Sequence, residues 1–114
     1  MYEYNARLLK VIDGDTFDLT VDVGFHITIH ERFRLMNIDT PELFSPRSEA
    51  EKTHAIAAKA ACMAVLQGDL RIQVFRKGYY KRYITRILFR NDKAEWESLS
   101  DYLKDLGLEK QPSY

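Results

Sequence analysis

Residues 11–23 read VIDGDTFDLTVDV, an Asp-Gly-Asp turn followed at once by an alternating run. Every second residue from Phe17 to Val23 is apolar and the residues between them are polar, which is the period of a half-buried β-strand. Gly14 gives the turn the backbone freedom it needs. The pattern therefore predicts two antiparallel strands, one ending and one beginning at this turn.

The same alternation extends beyond Gly24. Ile27, Ile29, Phe33 and Leu35 continue one apolar face and predict a third antiparallel strand. Pro41 has no N–H to donate, so the chain must leave the sheet before it.

A helix and a strand pair follow. Ser48 is a good N-cap with acidic residues in the turn after it, and the helix it begins is predicted to run to about Gln67 and to end at Gly68. Alternating runs over 70–75 and 83–89 then predict a hairpin that turns at Lys77-Gly78. A last helix is predicted from about Glu97 to Leu106.

The order of three strands, a helix, two strands and a helix predicts an α+β fold. It is the order of a five-stranded Greek-key barrel of the OB type with two helices, a fold that often presents a face to nucleic acid. At 114 residues, the chain is expected to form a single domain over residues 1–114.

Composition narrows the class of protein. The 46% hydrophobic and 30% charged content is that of an ordinary soluble domain. Cys62 is the sole cysteine, which excludes an intramolecular disulfide and a thiolate-rich metal site. The first residues lack the apolar run of a signal peptide and no run is long enough to span a membrane, so we expect a cytoplasmic protein without a membrane partner.

Charge is unevenly distributed, although the net charge is zero. Residues 71–90 contain no acid and seven bases: Arg71, Arg76, Lys77, Lys81, Arg82, Arg86 and Arg90. A polyanion responds to the local field, so this segment is a candidate nucleic-acid surface. A basic strand pair that is only a solvated face explains the segment equally well, and both interpretations stay open.

Several side chains near strand ends suggest phosphodiester chemistry. Asp15 and Asp39 lie where carboxylate oxygens can hold a hard divalent cation. Glu42 follows closely and can activate water, while Arg34 and Arg86 can grip a phosphate bidentately, which lysine cannot. Taken singly, each has a plain structural explanation. Asp-Gly-Asp is a common turn sequence, and an arginine on a strand is often a surface cation.

These residues occur in an order that resembles the staphylococcal nuclease (thermonuclease) family. The matching motifs are Val-Ile-Asp-Gly-Asp-Thr over 11–16, Phe-Arg-Leu-x-x-x-Asp-Thr-Pro-Glu over 33–42, and a late Tyr-x-x-Arg over 83–86. The similarity extends from about residue 7 to residue 108. It implies a Ca²⁺-dependent phosphodiesterase that hydrolyses DNA and RNA with low sequence specificity and leaves 3′-phosphates.

The resemblance assigns a role to each matching residue. Asp15 and Asp39 are expected to ligate Ca²⁺ together with the backbone carbonyl of Thr40, and Asp13 is expected to support them without touching the ion. Glu42 is expected to be the general base or to orient the attacking water.

The arginines and the hairpin have the remaining roles. Arg34 and Arg86 are expected to bind the scissile phosphate and to stabilise the transition state. Tyr83 is expected to contact the nucleotide, and Lys81 or Arg82 to lie along the nucleic-acid backbone.

The chain departs from the family pattern in its hairpin and at its end. Family members usually have Tyr-Gly-Arg, whereas Tyr83-Ile84-Thr85-Arg86 is one residue longer. If the extra residue forms a bulge, Arg86 still points inward; if it does not, every side chain changes face. The family's third helix and its nucleotide-contacting tyrosine are absent from the pattern, unless Tyr114 or a partner subunit in a homo-oligomer substitutes for them.

Two other functions are compatible with the same barrel. One is a nuclease-like module that binds nucleic acid without cleaving it, and the other is a protein–protein interaction domain. The joint presence of the aspartates, Glu42 and both arginines favours the enzyme, because a binding module has no need of a buried acidic cluster.

Overall fold

A computed structural model of the chain describes residues 2–77 and 82–114. Its elements follow the chain in the order β1 (Tyr2–Asp13), β2 (Thr16–Asp22), β3 (Thr28–Leu35), α1 (Glu49–Val65), β4 (Leu70–Lys77), β5 (Tyr83–Arg90), β6 (Trp96–Ser98) and α2 (Leu99–Asp105). The predicted turn residue Gly78 and the predicted nucleic-acid contact Lys81 lie outside the described residues.

The strands close into the predicted five-stranded barrel. They are hydrogen-bonded in the order β3-β2-β1-β4-β5-β6, and an additional parallel pairing between β3 and β5 completes the cylinder. That closure pairs Phe33 with Tyr83 and Leu35 with Thr85. The α+β barrel with two helices is thus confirmed, and a short sixth strand, which the sequence pattern did not predict, extends the sheet beyond β5.

The core lies between the barrel and α1. Phe17, Leu19, Ile72 and Ile87 point into the cylinder and are fully buried. On β2 the alternating apolar positions that predicted the strand are therefore the ones removed from water. On the third predicted strand Phe33 and Leu35 are buried, whereas Ile27 and Ile29 are 53% and 40% exposed.

Helix α1 sits close to the β1–β2 turn because small residues face it. Ser48 is the N-cap, as predicted, and its hydroxyl accepts a hydrogen bond from the Glu51 N–H. Ala58 approaches the turn so closely that a Cβ on Gly14 would lie 2.9 Å from the Ala58 Cβ and 2.8 Å from Thr40 Oγ1. Gly14 is therefore required by this close contact rather than by the turn, because its φ angle is not positive.

Candidate active site

Asp15 lies at the junction of the β1–β2 turn and the loop that follows β3. Its side chain is buried, and Oδ2 accepts a hydrogen bond from the Thr40 N–H at 3.0 Å. Its backbone carbonyl accepts from the Leu35 N–H at 2.8 Å, and Asp13 Oδ1 accepts from the Asp15 N–H at 3.2 Å. These bonds fix the carboxylate at the end of β3, where the second sequence motif begins.

Arg34 connects the two aspartates predicted to bind metal. Its Nη2 is 3.3 Å from Asp15 Oδ2 and also contacts Asp39 Oδ1. Its Nη1 donates to the carbonyl oxygens of Leu35 at 2.6 Å and Ile38 at 2.9 Å. The guanidinium is thus held in one plane by backbone, and both carboxylates converge on a single nitrogen.

The two aspartates of the turn share a proton unequally. Burial, followed by the hydrogen bond to Asp15 and repulsion from it, raises the pKa of Asp13 to about 7. Burial acts in the same direction on Asp15, but the hydrogen bond from Asp13 and the charge of Arg34 outweigh it and lower the pKa of Asp15 below its usual range. Asp15 is therefore the ionised partner, which is the state a cation requires.

The donor set suits a hard cation that keeps part of its hydration shell. Asp15 is 12% exposed and Asp39 is 80% exposed, so one carboxylate is rigid and the other reaches solvent. Thr40 is buried, and within the described residues its Oγ1 has no hydrogen-bond partner. No group of three or more His, Cys, Asp or Glu residues arranged to hold a metal occurs in the described part of the chain. Carboxylate oxygens such as those of Asp15 and Asp39 are of the donor type that a hard cation such as Ca²⁺ accepts.

Glu42 lies near the aspartates, and Lys110 contacts its carboxylate. Its carboxylate is about half exposed, with Oε1 3.7 Å from Lys110 Nζ. Its negative charge contributes to the raised pKa of Asp13, after burial and the effects of Asp15. A carboxylate that is exposed and next to the metal-binding candidates can accept a proton from water.

Glu51 organises this side of the site, a role that the sequence pattern did not predict. The side chain is fully buried, and it accepts hydrogen bonds from the Arg47 N–H at 2.7 Å, Arg47 Nε at 3.0 Å and the Glu42 N–H at 3.1 Å. The bond from the Arg47 N–H is the largest cause that lowers the pKa of Glu51 to about 2, against the effect of burial. Its place three residues after Ser48, the capping-box position, was the available signal.

The last residues of the chain pack onto the same loop. Arg47 donates to the carbonyl oxygens of Gln111 at 2.8 Å and Pro112 at 3.1 Å. Tyr114 Oη lies 2.7 Å from His54 Nδ1, and the Lys110 N–H donates to the Asp39 carbonyl at 2.8 Å. The segment after α2 therefore forms one wall of the candidate site.

Arg86 is not brought to the acidic cluster. It is exposed, and its Nη1 lies 3.4 Å from Gln73 Oε1 on β4, the neighbour of β5 on the side away from β3. The irregularity in the hairpin pairing lies in β4, between Val74 and Arg76, so β5 alternates regularly and Thr85, Ile87 and Phe89 point inward. The predicted convergence of Arg34 and Arg86 is therefore not supported by this geometry.

Arg82 takes the position that was predicted for Arg86. Its Nη1 lies 3.4 Å from Thr16 Oγ1, and the Thr16 hydroxyl in turn donates to Asp15 Oδ1 at 3.2 Å. The sequence contained a signal for this residue, because Tyr80-Lys81-Arg82 has the Tyr-x-Arg spacing that Tyr83–Arg86 lacks.

Tyr83 and a groove beside Arg34 are the remaining features of the candidate site. The ring of Tyr83 packs against Phe33, with ring centres 5.7 Å apart. A groove of about 540 Å³ runs between Arg34, Asp39, Ile84 and Lys110. Arg34 lines this groove, so its guanidinium can be reached from solvent.

Comparison with known proteins identifies a family. The family model described as "Staphylococcal nuclease homologue" matches residues 32–109. No curated protein matches the chain. Among the described residues, no helix has the length and apolar character needed to cross a membrane.

Proposed function

The chain belongs to the staphylococcal nuclease homologue family, and we propose that it is a Ca²⁺-dependent phosphodiesterase acting on DNA and RNA. It would have little sequence preference, because its contacts are mostly to phosphate. The products would carry 3′-phosphates. One observation carries the proposal: a single nitrogen of Arg34 contacts both Asp15 and Asp39.

The acidic residues bind the cation and prepare the nucleophile. Asp15, Asp39 and the Thr40 carbonyl would hold Ca²⁺, which supplies positive charge to the phosphoryl oxygens when bound. Burial raises the pKa of Asp13 to about 7, so Asp13 is partly protonated near neutral pH and adds less negative charge behind Asp15 than an ordinary aspartate would. Glu42 takes a proton from the water whose oxygen attacks phosphorus, and the 5′ oxygen leaves.

Two arginines meet the negative charge that develops on the phosphate. Arg34 is already oriented by two backbone carbonyls, so it is fixed before the substrate arrives. Arg82 reaches the same cluster from the start of β5 through Thr16. A preorganised guanidinium pair of this kind offers bidentate contacts that a lysine cannot reproduce.

The test is cleavage of single-stranded DNA with Ca²⁺ or with chelator. Wild-type protein should digest the substrate only with Ca²⁺, and Glu42→Gln should lose about 100-fold or more in kcat. Arg82→Lys should lower kcat far more than Arg86→Lys, while Arg7→Lys, at an exposed pair with Asp69, serves as the matched control.

Each other outcome points elsewhere. Binding of DNA without digestion would indicate the nuclease-like binding module, and indifference to nucleic acid would refute both. If Arg86→Lys is the more damaging variant, the second phosphate ligand is Arg86 after all.

A further inference from the structure

Three arginines and the sole tryptophan share the outer surface of β4, β5 and β6. The guanidinium carbons of Arg71 and Arg90 lie 4.6 Å and 4.5 Å from the centre of the Trp96 ring. Arg86 stands on the same side of β5 as Arg90, since alternate residues of a strand share a face. We call Arg71, Arg86, Arg90 and Trp96 the Trp96 face.

Among the described residues, one of the three arginines of this surface forms an ion pair. Glu3 pairs with Arg71 at 3.2 Å and accepts from Gln73 at 3.1 Å. Asp92, Glu95 and Glu97 line a cavity with Arg90 but form no ion pair with it. Arg86 contacts a neutral amide, and Arg90 donates to the Ala94 carbonyl at 2.6 Å. Neither of those two arginines is neutralised by these contacts, and both are exposed.

The Trp96 face is continuous with the groove of the candidate active site. Ile84 lines that groove and pairs directly with Arg34 across the barrel closure. Arg86 follows two residues later on the same face of β5, and Arg90 lies four residues beyond it, a run of about 20 Å from Ile84. A chain leaving the groove along β5 meets one arginine and then the next.

We propose that the Trp96 face binds the phosphates of single-stranded nucleic acid that extends beyond the scissile bond. The inference rests on the proposed function, because it gives that substrate a path away from Arg34. Charge complementarity and continuity with the groove favour this occupant. The arginines supply phosphate contacts, and the stacked Trp96 holds two of them in place.

The experiment measures binding of a twelve-residue and a three-residue oligothymidylate to Glu42→Gln protein in Ca²⁺. Arg86→Gln/Arg90→Gln should weaken binding of the longer strand by about tenfold. The slope of log affinity against log salt should fall by about 1.4, or about 0.7 for each lost phosphate contact. Binding of the three-residue strand should change much less, because it does not reach beyond the groove.

The control removes the same charge elsewhere. Arg7→Gln/Arg32→Gln replaces two exposed arginines that pair with Asp69 and Asp18. It should leave the salt slope for the longer strand nearly unchanged. Trp96 gives a second measurement, since it is the only tryptophan, and its emission should change on addition of the longer strand but not the shorter one.

The outcomes separate the two proposals. Equal losses in both double variants, or a Trp96 signal that does not respond to the longer strand, would overturn the inference while cleavage by wild-type protein persists. Failure of the wild-type chain to bind or cleave any strand would overturn the proposed function and this inference with it.

Discussion

Two carboxylate–arginine clusters lie side by side in this molecule. They differ in how completely hydrogen-bond donors occupy their carboxylate oxygen atoms. Around Glu51, backbone and side-chain N–H groups donate hydrogen bonds to a fully buried carboxylate, and its pKa falls to about 2. Around Asp15 and Asp39, carboxylates share one nitrogen of Arg34, and Asp39 is 80% exposed. The saturated cluster holds the loop in place, whereas the unsaturated one leaves carboxylate oxygen of Asp39 open to solvent.

The comparison depends most on Asp15. We expect Asp15→Asn to lower kcat by about 100-fold or more, because it removes the rigid anionic ligand. The rise in melting temperature caused by saturating Ca²⁺, measured by calorimetry, should disappear as well. Unchanged Ca²⁺ stabilisation in this variant would mean that the unsaturated cluster is not the cation site.

The converse substitution is Glu51→Gln. It should lower the melting temperature more than Asp15→Asn, since it removes a buried charge on which several donors converge. The wild-type contribution is present above the usual pKa of 4.5 and is lost as pH falls towards about 2. Urea midpoints of the two proteins should therefore approach each other from pH 5 to pH 2, and a constant difference would contradict the role of Glu51.

Gly14 lies where the β1–β2 turn packs against Thr40 and helix α1. Gly14→Ala would place a methyl group 2.8 Å from Thr40 Oγ1 and 2.9 Å from the Ala58 Cβ. We expect the free energy of unfolding to fall by about 1–3 kcal/mol, because the turn and α1 must move apart. Denaturant unfolding measures it, with Gly68→Ala as the control, since no atom lies within 4 Å of a Cβ at that position.

Asp13 gives the opposite pH signature. Its pKa rises from 3.8 to about 7 on folding, so the folded state binds the proton more tightly. The free energy of unfolding should therefore fall as pH rises from about 4 to about 7. Asp13→Asn should abolish that fall, and a variant that retains the full slope would assign the proton to another group.

The sequence predicted the unsaturated cluster better than the saturated one. Asp15, Arg34 and Asp39 stand next to a turn and at a strand end, where local pattern fixes position, and they meet as expected. Glu51 looked like an ordinary first-turn acid, because the capping-box position indicates a bond to the helix N-terminus alone. Its donors instead come from the preceding loop, at Arg47 and at Glu42, four and nine residues before it.

The arginines show a second limit. Whether Arg82 or Arg86 joins Arg34 depends on which strand of the hairpin carries the irregularity, and the structure places it in β4. Both strands alternate in the sequence, so alternation alone cannot locate the irregularity. The short strand β6 escaped prediction because three residues are too few to show a period.

The bonds to Glu51 also have a use in engineering. The N–H groups of Glu42 and Arg47 both end on its carboxylate, so residues 43–46 leave and return at one point, with Phe44 72% exposed between them. Lengthening a loop whose ends are fixed costs little, since closure entropy grows only slowly with length. A peptide grafted here would lie beside Glu42 without shifting it. This loop is therefore a suitable insertion site for changing substrate selectivity or adding a reporter.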